Sequence, residues 1–149
     1  MFARDDGIDS GGDLGGTINI NNCRFESMFH EGMALSSRKS VQKEHNIINC
    51  TFTNCGQGVE LGFSSPNHIV NIDSCYFNFN NIGIRYGDNY TSQVEGRMIV
   101  NNSYSVNNYD KDVWNMVRLI WQAKIDRLSF INTAVSMPVK DYPDLFVIN

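Results

Sequence analysis

Charge is in short supply in this chain. Asp, Glu, Lys and Arg make up 19% of its 149 residues, with a net charge of −4. There is no basic run, which argues against DNA or RNA as a partner, because holding a phosphate backbone takes clustered Lys and Arg. No apolar stretch approaches the ~18 residues of a transmembrane helix. The opening residues, MFARDDGID, also lack the apolar core of a secretory signal. Four cysteines are present with no CxxC pair, and His30, His45 and His68 stand far apart, so the spacings fit no zinc site.

The polar load falls instead on asparagine, with nineteen copies. Asn is depleted in ordinary strands, so that number needs a structural home. A stacked solenoid supplies one: amides hydrogen-bond up and down a ladder, and Asn tolerates left-handed turns. The hydrophobic share, 42%, is that of a globular protein, and the length suits one domain with a core of its own.

The sequence repeats. The run Ile47 to Phe63, IINCTFTNCGQGVELGF, has copies at Ile20–Phe25 with Gly32–Leu35, and at Ile72–Phe77 with Gly83–Tyr86. Weaker copies lie at Val100–Ser105 and Ile125–Phe130. One ladder runs Cys23, Cys50, Cys75, Ser103, Leu128, with spacings of 27, 25, 28 and 25. A second runs Gly7-Ile8, Gly32-Met33, Gly58-Val59, Gly83-Ile84. Such a period marks a solenoid whose units bury their apolar faces against neighbours. The short Ile-, Val-, Phe-, Tyr- and Thr-rich segments between Gly or Asn clusters read as strands. The expectation is an all-β, single-stranded, right-handed parallel β-helix of about five coils of 25–28 residues, filling residues 1–149 as one domain. A β-sandwich also has short strands, but it does not hold residue identity in register between units.

In chain order, residues 1–19 form an incomplete first coil, so the chain reads as a fragment of a longer protein. Residues 20–46 make the next coil and leave through SSRKSVQKEHN; residues 47–68 are the best-formed coil. Residues 69–97 repeat it and exit through GDNYTSQVEGR. From Asp112 to Ala123 apolar residues fall at helical spacing, yet the ladder resuming at Leu128 leaves little room, which favours one or two strands. Residues 134–149 read as an irregular cap or partial coil. Cys23, Cys50 and Cys75 occupy one inward position where Ser and Leu replace them, so stacked thiols are expected, with a disulfide between rungs still open.

Register turns columns into neighbours. Asp5, His30, Gly56 and Asn81 stand two places before the second-ladder Gly; Asp6, Glu31, Gln57 and Ile82 one before; Asp9, Ala34, Glu60 and Arg85 two after. Charge therefore gathers on one strip. Three carboxylates within five residues are held by a cation, or one is protonated, or they splay into water. Ca²⁺ takes carboxylate and carbonyl oxygens in a flexible shell, as Asp5-Asp6-Gly7-Ile8-Asp9 could offer.

The unit I-x-N-C-x-F…G-[IV]-x-L over residues 5–133 resembles the right-handed β-helix repeats of the pectin-lyase-like superfamily. Asp5-Asp6-Gly7-Ile8-Asp9 is similar to the calcium motif of one pectate lyase family. That resemblance implies a secreted or cell-surface, calcium-dependent lyase of acidic polysaccharide. Asp5, Asp6 and Asp9 would be the metal ligands, and Lys43 or Arg85 the base that abstracts the proton α to a uronate carboxylate. A polygalacturonase-like hydrolase is the alternative: Asp5-Asp6, then His30 with Glu31, then Arg85, echo that family's order, and two carboxyls would serve as acid and base. A third reading is a non-catalytic carbohydrate-binding β-helix, with Tyr76, Tyr86, Tyr90 and Tyr104 as stacking platforms. Glu60, Tyr86 and Asp88 are the candidate sugar contacts. End-to-end packing at the incomplete first coil is a further expectation.

Overall fold

The computed structural model describes residues 4–38, 40–87, 93–116 and 127–136, and the backbone of 147–148. Among the described residues sixteen short strands form three sheets, and every strand pairing is parallel. The first sheet stacks β1 (Ile8–Ser10), β4 (Glu31–Leu35), β7 (Gln57–Leu61), β10 (Ile82–Tyr86) and β13 (Lys111–Asn115). The second stacks β2 (Gly16–Asn21), β5 (Lys43–Ile48), β8 (His68–Asp73), β11 (Arg97–Asn101), β14 (Leu128–Ile131) and β16 (Val147–Ile148). The third stacks β3 (Arg24–Glu26), β6 (Thr51–Thr53), β9 (Tyr76–Asn78), β12 (Tyr104–Ser105) and β15 (Ala134–Val135). From β1 to β15 neighbours in a sheet are three elements apart, so each turn of the chain lays one strand on each face. The protein is a parallel β-solenoid of about four turns. There is no α-helix among the described residues, and none of their segments is a helix long and apolar enough to cross a membrane.

Strands form here because alternate residues are apolar and point into a core that only the next coil can complete. In β5 the buried residues are Lys43, His45 and Ile47, and in β8 His68, Val70 and Ile72. Phe25, Phe52 and Phe77 stack face to face inside, with ring centroids 4.8 and 4.7 Å apart and planes within 4°. Their closeness explains the glycine ladder. A Cβ on Gly32 would meet Gly58 O at 2.6 Å and the Phe52 ring at 2.7 Å, so this column has no room for a side chain.

The cysteine ladder has a polar purpose as well as a steric one. The Cys23 amide donates to Cys50 Sγ and the Cys50 amide to Cys75 Sγ, both at 3.4 Å. The Cys75 amide donates to Ser103 Oγ at 3.0 Å, and the Ser103 amide to Thr133 Oγ1 at 3.3 Å. Each member after Cys23 accepts an N–H from the coil before it, a demand leucine cannot meet. Leu128 is therefore not the fifth rung: it pairs with Met98, and Thr133 takes the place, 30 residues after Ser103. All four cysteines are free thiols. Just before this column, Asn22, Asn49, Ser74, Asn102 and Asn132 all adopt positive φ, the left-handed corner that Asn tolerates. Asn46 bridges Asn19 and Asn71 at 3.0 and 2.9 Å on the outer surface, so much of the asparagine content is ladder and corner.

Over the ambiguous stretch that begins at Asp112, the described residues are strand, Lys111–Asn115, and residues 117–123 lie outside the description. In the tail, Ala134–Val135 extends the third sheet and Val147–Ile148 pairs with β14.

Candidate functional site

The first sheet carries the charge. Its register aligns Asp9, Ala34, Glu60 and Arg85 in one column, and Glu31, Gln57 and Ile82 in another, as the repeat spacing predicts, and it adds Trp114 to the first and Lys111 to the second. At its upstream end a cluster forms across one coil step. His30 Nδ1 lies 2.5 Å from Glu31 Oε2, 3.3 Å from Asp6 Oδ1 and 3.8 Å from Asp5 Oδ1. Asp6 Oδ1 also accepts the Glu31 amide at 3.0 Å, tying the turn before β1 to the start of β4. Asp5 and His30 are open to solvent, while Asp6 and Glu31 stand behind them with 13% and 4% of their side chains exposed.

Glu31 sits in an environment that opposes its charge. Burial, a side-chain hydrogen bond with Asp6, and the charges of Glu60 and Asp6 push its carboxyl up to about 9, against a smaller opposing pull from Arg85. Glu31 therefore holds a proton at neutral pH. From Glu31 the network continues down the sheet. Gln57 Nε2 donates to Glu31 Oε1 at 2.5 Å, and Arg85 Nη1 donates to Gln57 Oε1 at 3.2 Å. Arg85 Nη1 also pairs with Glu60 Oε2 at 3.1 Å, and the guanidinium lies over the Trp114 ring. Arg85 and Glu60 thus belong to the strip, but Arg85 is shielded and spent on partners.

Three expected site residues fall elsewhere. Asp9 is not part of the cluster: among the described residues the one group able to converge on a metal ion is Asp5, Asp6 and His30, whose donor atoms lie within 4.8 Å of one another. The strand alternation sends Asp9 toward Gly11 and Lys43. Two carboxylates and an imidazole are a poor match for the all-oxygen shell of Ca²⁺ and suit a borderline ion better. Lys43 points into the solenoid, where Nζ donates to the carbonyls of Ser10, Gly11 and Ser36 at 2.8, 3.2 and 3.2 Å. Burial lowers its pKa, and it has no path to a substrate on the outer face. Tyr86 is likewise interior, its hydroxyl donating to Gly96 O at 2.6 Å, so it cannot touch a sugar. Asp88 and Tyr90 lie outside the described residues. Tyr76 and Tyr104 remain on the surface, edge to face at 6.1 Å.

The sequence also hides a contact. His45 and His68, far apart in the chain, are hydrogen-bonded at 3.0 Å inside the solenoid. Their separation of 23 residues is close to one coil, which is the signal that could have found them.

Compared with family models, with curated proteins and with solved structures, the chain matches none. The fold and the site therefore stand on the chain's own residues.

Proposed function

We propose that this protein acts on polysaccharide outside the cell, and that the cluster of Asp5, Asp6, His30 and Glu31 carries acid–base hydrolysis of a glycosidic bond. The observation that supports this reading is the buried Glu31 carboxyl, kept protonated beside Asp6 and in contact with the exposed His30. Glycoside hydrolysis needs a proton donor for the leaving oxygen and a carboxylate for water or the sugar. In this cluster the Glu31–Asp6 pair holds the proton, His30 presents it at the surface, and Asp5 is the exposed carboxylate. Exposed Tyr76, Tyr104 and Tyr109 offer stacking surfaces for sugar rings.

A calcium-dependent uronate lyase is the second reading: Asp5, Asp6 and His30 converge where a cation would sit, although the imidazole suits the oxygen shell of Ca²⁺ poorly. It is weakened by the interior position of Lys43 and by the engagement of the shielded Arg85 with Glu60 and Gln57, which leave neither expected base open to a substrate. The test uses polygalacturonate and alginate, with and without EDTA. Reducing ends released without unsaturated-uronate absorbance, and lost in Asp5→Asn and Glu31→Gln, are the expected result. Absorbance that rises and disappears with EDTA replaces the hydrolase with the lyase, and binding without product replaces both with a carbohydrate-binding module.

A further inference from the structure

Near one corner of the solenoid Lys43, His45, His68, Ser37, Ser64 and Ser65 are all buried beside the apolar core. Three of its side chains, with the half-buried Ser10, form a continuous chain. Ser10 Oγ lies 2.9 Å from His45 Nε2, His45 Nδ1 lies 3.0 Å from His68 Nε2, and His68 Nδ1 lies 3.0 Å from Ser37 Oγ. Ser37 Oγ also accepts the Ser65 amide at 3.1 Å. One assignment of protons satisfies every ring nitrogen: Ser10 O–H donates to His45, His45 Nδ1–H to His68, and His68 Nδ1–H to Ser37. Both imidazoles are neutral at pH 7, because burial first, and then charge (Lys43 for His45; His45 and Lys43 for His68), lowers their pKa values to about 4 and about 3. His45 Nε2 therefore keeps a lone pair for a proton.

Ser10 is the member that solvent reaches. It lies on β1, the edge strand of its sheet, and Gly11 and Gly12 follow it. A Cβ on Gly12 would meet nothing within 4 Å, so the turn that follows Ser10 is open to solvent at that position. Lys43 Nζ, 2.8 Å from the Ser10 carbonyl, fixes the backbone there and places positive charge next to the hydroxyl. A nucleophile hydrogen-bonded to a base that a third group orients is the arrangement used in acyl transfer on many unrelated folds.

We propose that Ser10 is a nucleophile toward small carboxylic esters, with His45 as its general base and His68 and Ser37 as positioning residues. Ser10 Oγ forms a bond to the ester carbonyl carbon while its proton passes to His45 Nε2. The C–O bond to the alcohol then breaks, and the departing oxygen takes that proton. Water, deprotonated by the same nitrogen, adds to the acyl-Ser10 ester, which releases the acid and restores Ser10. This site is separate from the carboxyl cluster and does not depend on the hydrolase reading.

The test is a fluorophosphonate probe on the whole chain, with the adduct located by mass spectrometry, beside turnover of p-nitrophenyl acetate. Expected are an adduct on Ser10, loss of turnover in Ser10→Ala, and labelling slower by about 100-fold in His45→Gln. His68→Gln should shift the pH midpoint of labelling, which a purely structural histidine would not do. No adduct at Ser10 overturns the proposal, as does unchanged labelling in a His45→Gln variant with the wild-type circular dichroism spectrum. If His45→Gln fails to fold, the wild-type adduct and Ser10→Ala decide the matter alone.

Discussion

Glu31 and the His45–His68 pair impose opposite slopes on stability against pH. An unfolded chain releases the Glu31 proton near 4.5, whereas the fold keeps it up to about 9. Between those values the unfolded state binds fewer protons, so the Glu31 contribution is complete below 4.5 and is lost as pH rises toward 9. The histidines do the reverse. Unfolded they take a proton near 6.5, but in the fold only near 4 and 3, so stability falls as pH drops below 6.5. Only Glu31 acts above 6.5, only the histidines act below 4.5, and the two oppose each other between. Glu31→Gln should therefore gain urea resistance over wild type at about pH 8, on the order of a few kcal/mol, with no gain at about pH 4. His68→Gln should flatten the acid limb alone. Equal wild-type and Glu31→Gln profiles at both pH values would show that Glu31 ionises normally in the fold.

Corners and columns carry the specificity of the coils, and one corner is strained. Ser27, Asn54, Phe79 and Asn107 occupy equivalent positions with positive φ, and Phe79 at φ 55° is the bulky member of that set. A left-handed conformation costs a side chain with a full Cβ substituent roughly 1–2 kcal/mol, and Asn less. Phe79 is half exposed, so its removal costs little burial. Phe79→Asn should raise the midpoint of thermal unfolding by the equivalent of about 1 kcal/mol; a lower midpoint would mean that the ring packs on something that holds the corner. The same columns show what could be read in advance. Strand register keeps residue identity from coil to coil, so the sheet that aligns Asp9, Glu60 and Arg85 is visible as a spacing. A spacing does not state what a column must do. Leu128 fits the period, but only a side-chain acceptor such as Thr133 fits the hydrogen bond. Alternation also hides inside from outside when the inward residue is polar: Lys43, His45 and His68 look like surface residues and are core. Tyr86 misleads in the same way, because an aromatic at an inward position resembles a sugar platform until its hydroxyl is seen to be bonded to Gly96.

In the whole molecule, each coil touches only the coils above and below it. The carboxyl cluster exists because Asp5 and Asp6 lie one coil step from His30 and Glu31, and the Ser10–His45 contact spans the same first coils. Both proposed sites thus rest on the step between the first two coils, where β1 is an edge strand among the described residues. In a solenoid, stability is close to a sum of nearest-neighbour terms, so strands paired on both sides should outlast those at the ends. Amide hydrogen exchange should follow that order, with β7 to β10 protected longest and β1 and β2 opening first. A bound oligosaccharide that bridges Asp5 and His30 joins β1 to β4, so it should slow exchange in β1 while leaving β9 unchanged. The Ser10 adduct should also slow exchange in β1 by filling the corner that joins Ser10 to His45. A single exchange rate across all strands would mean that the coils unfold as one cooperative unit; the two sites would then draw on the stability of the entire stack, and neither ligand could protect β1 selectively.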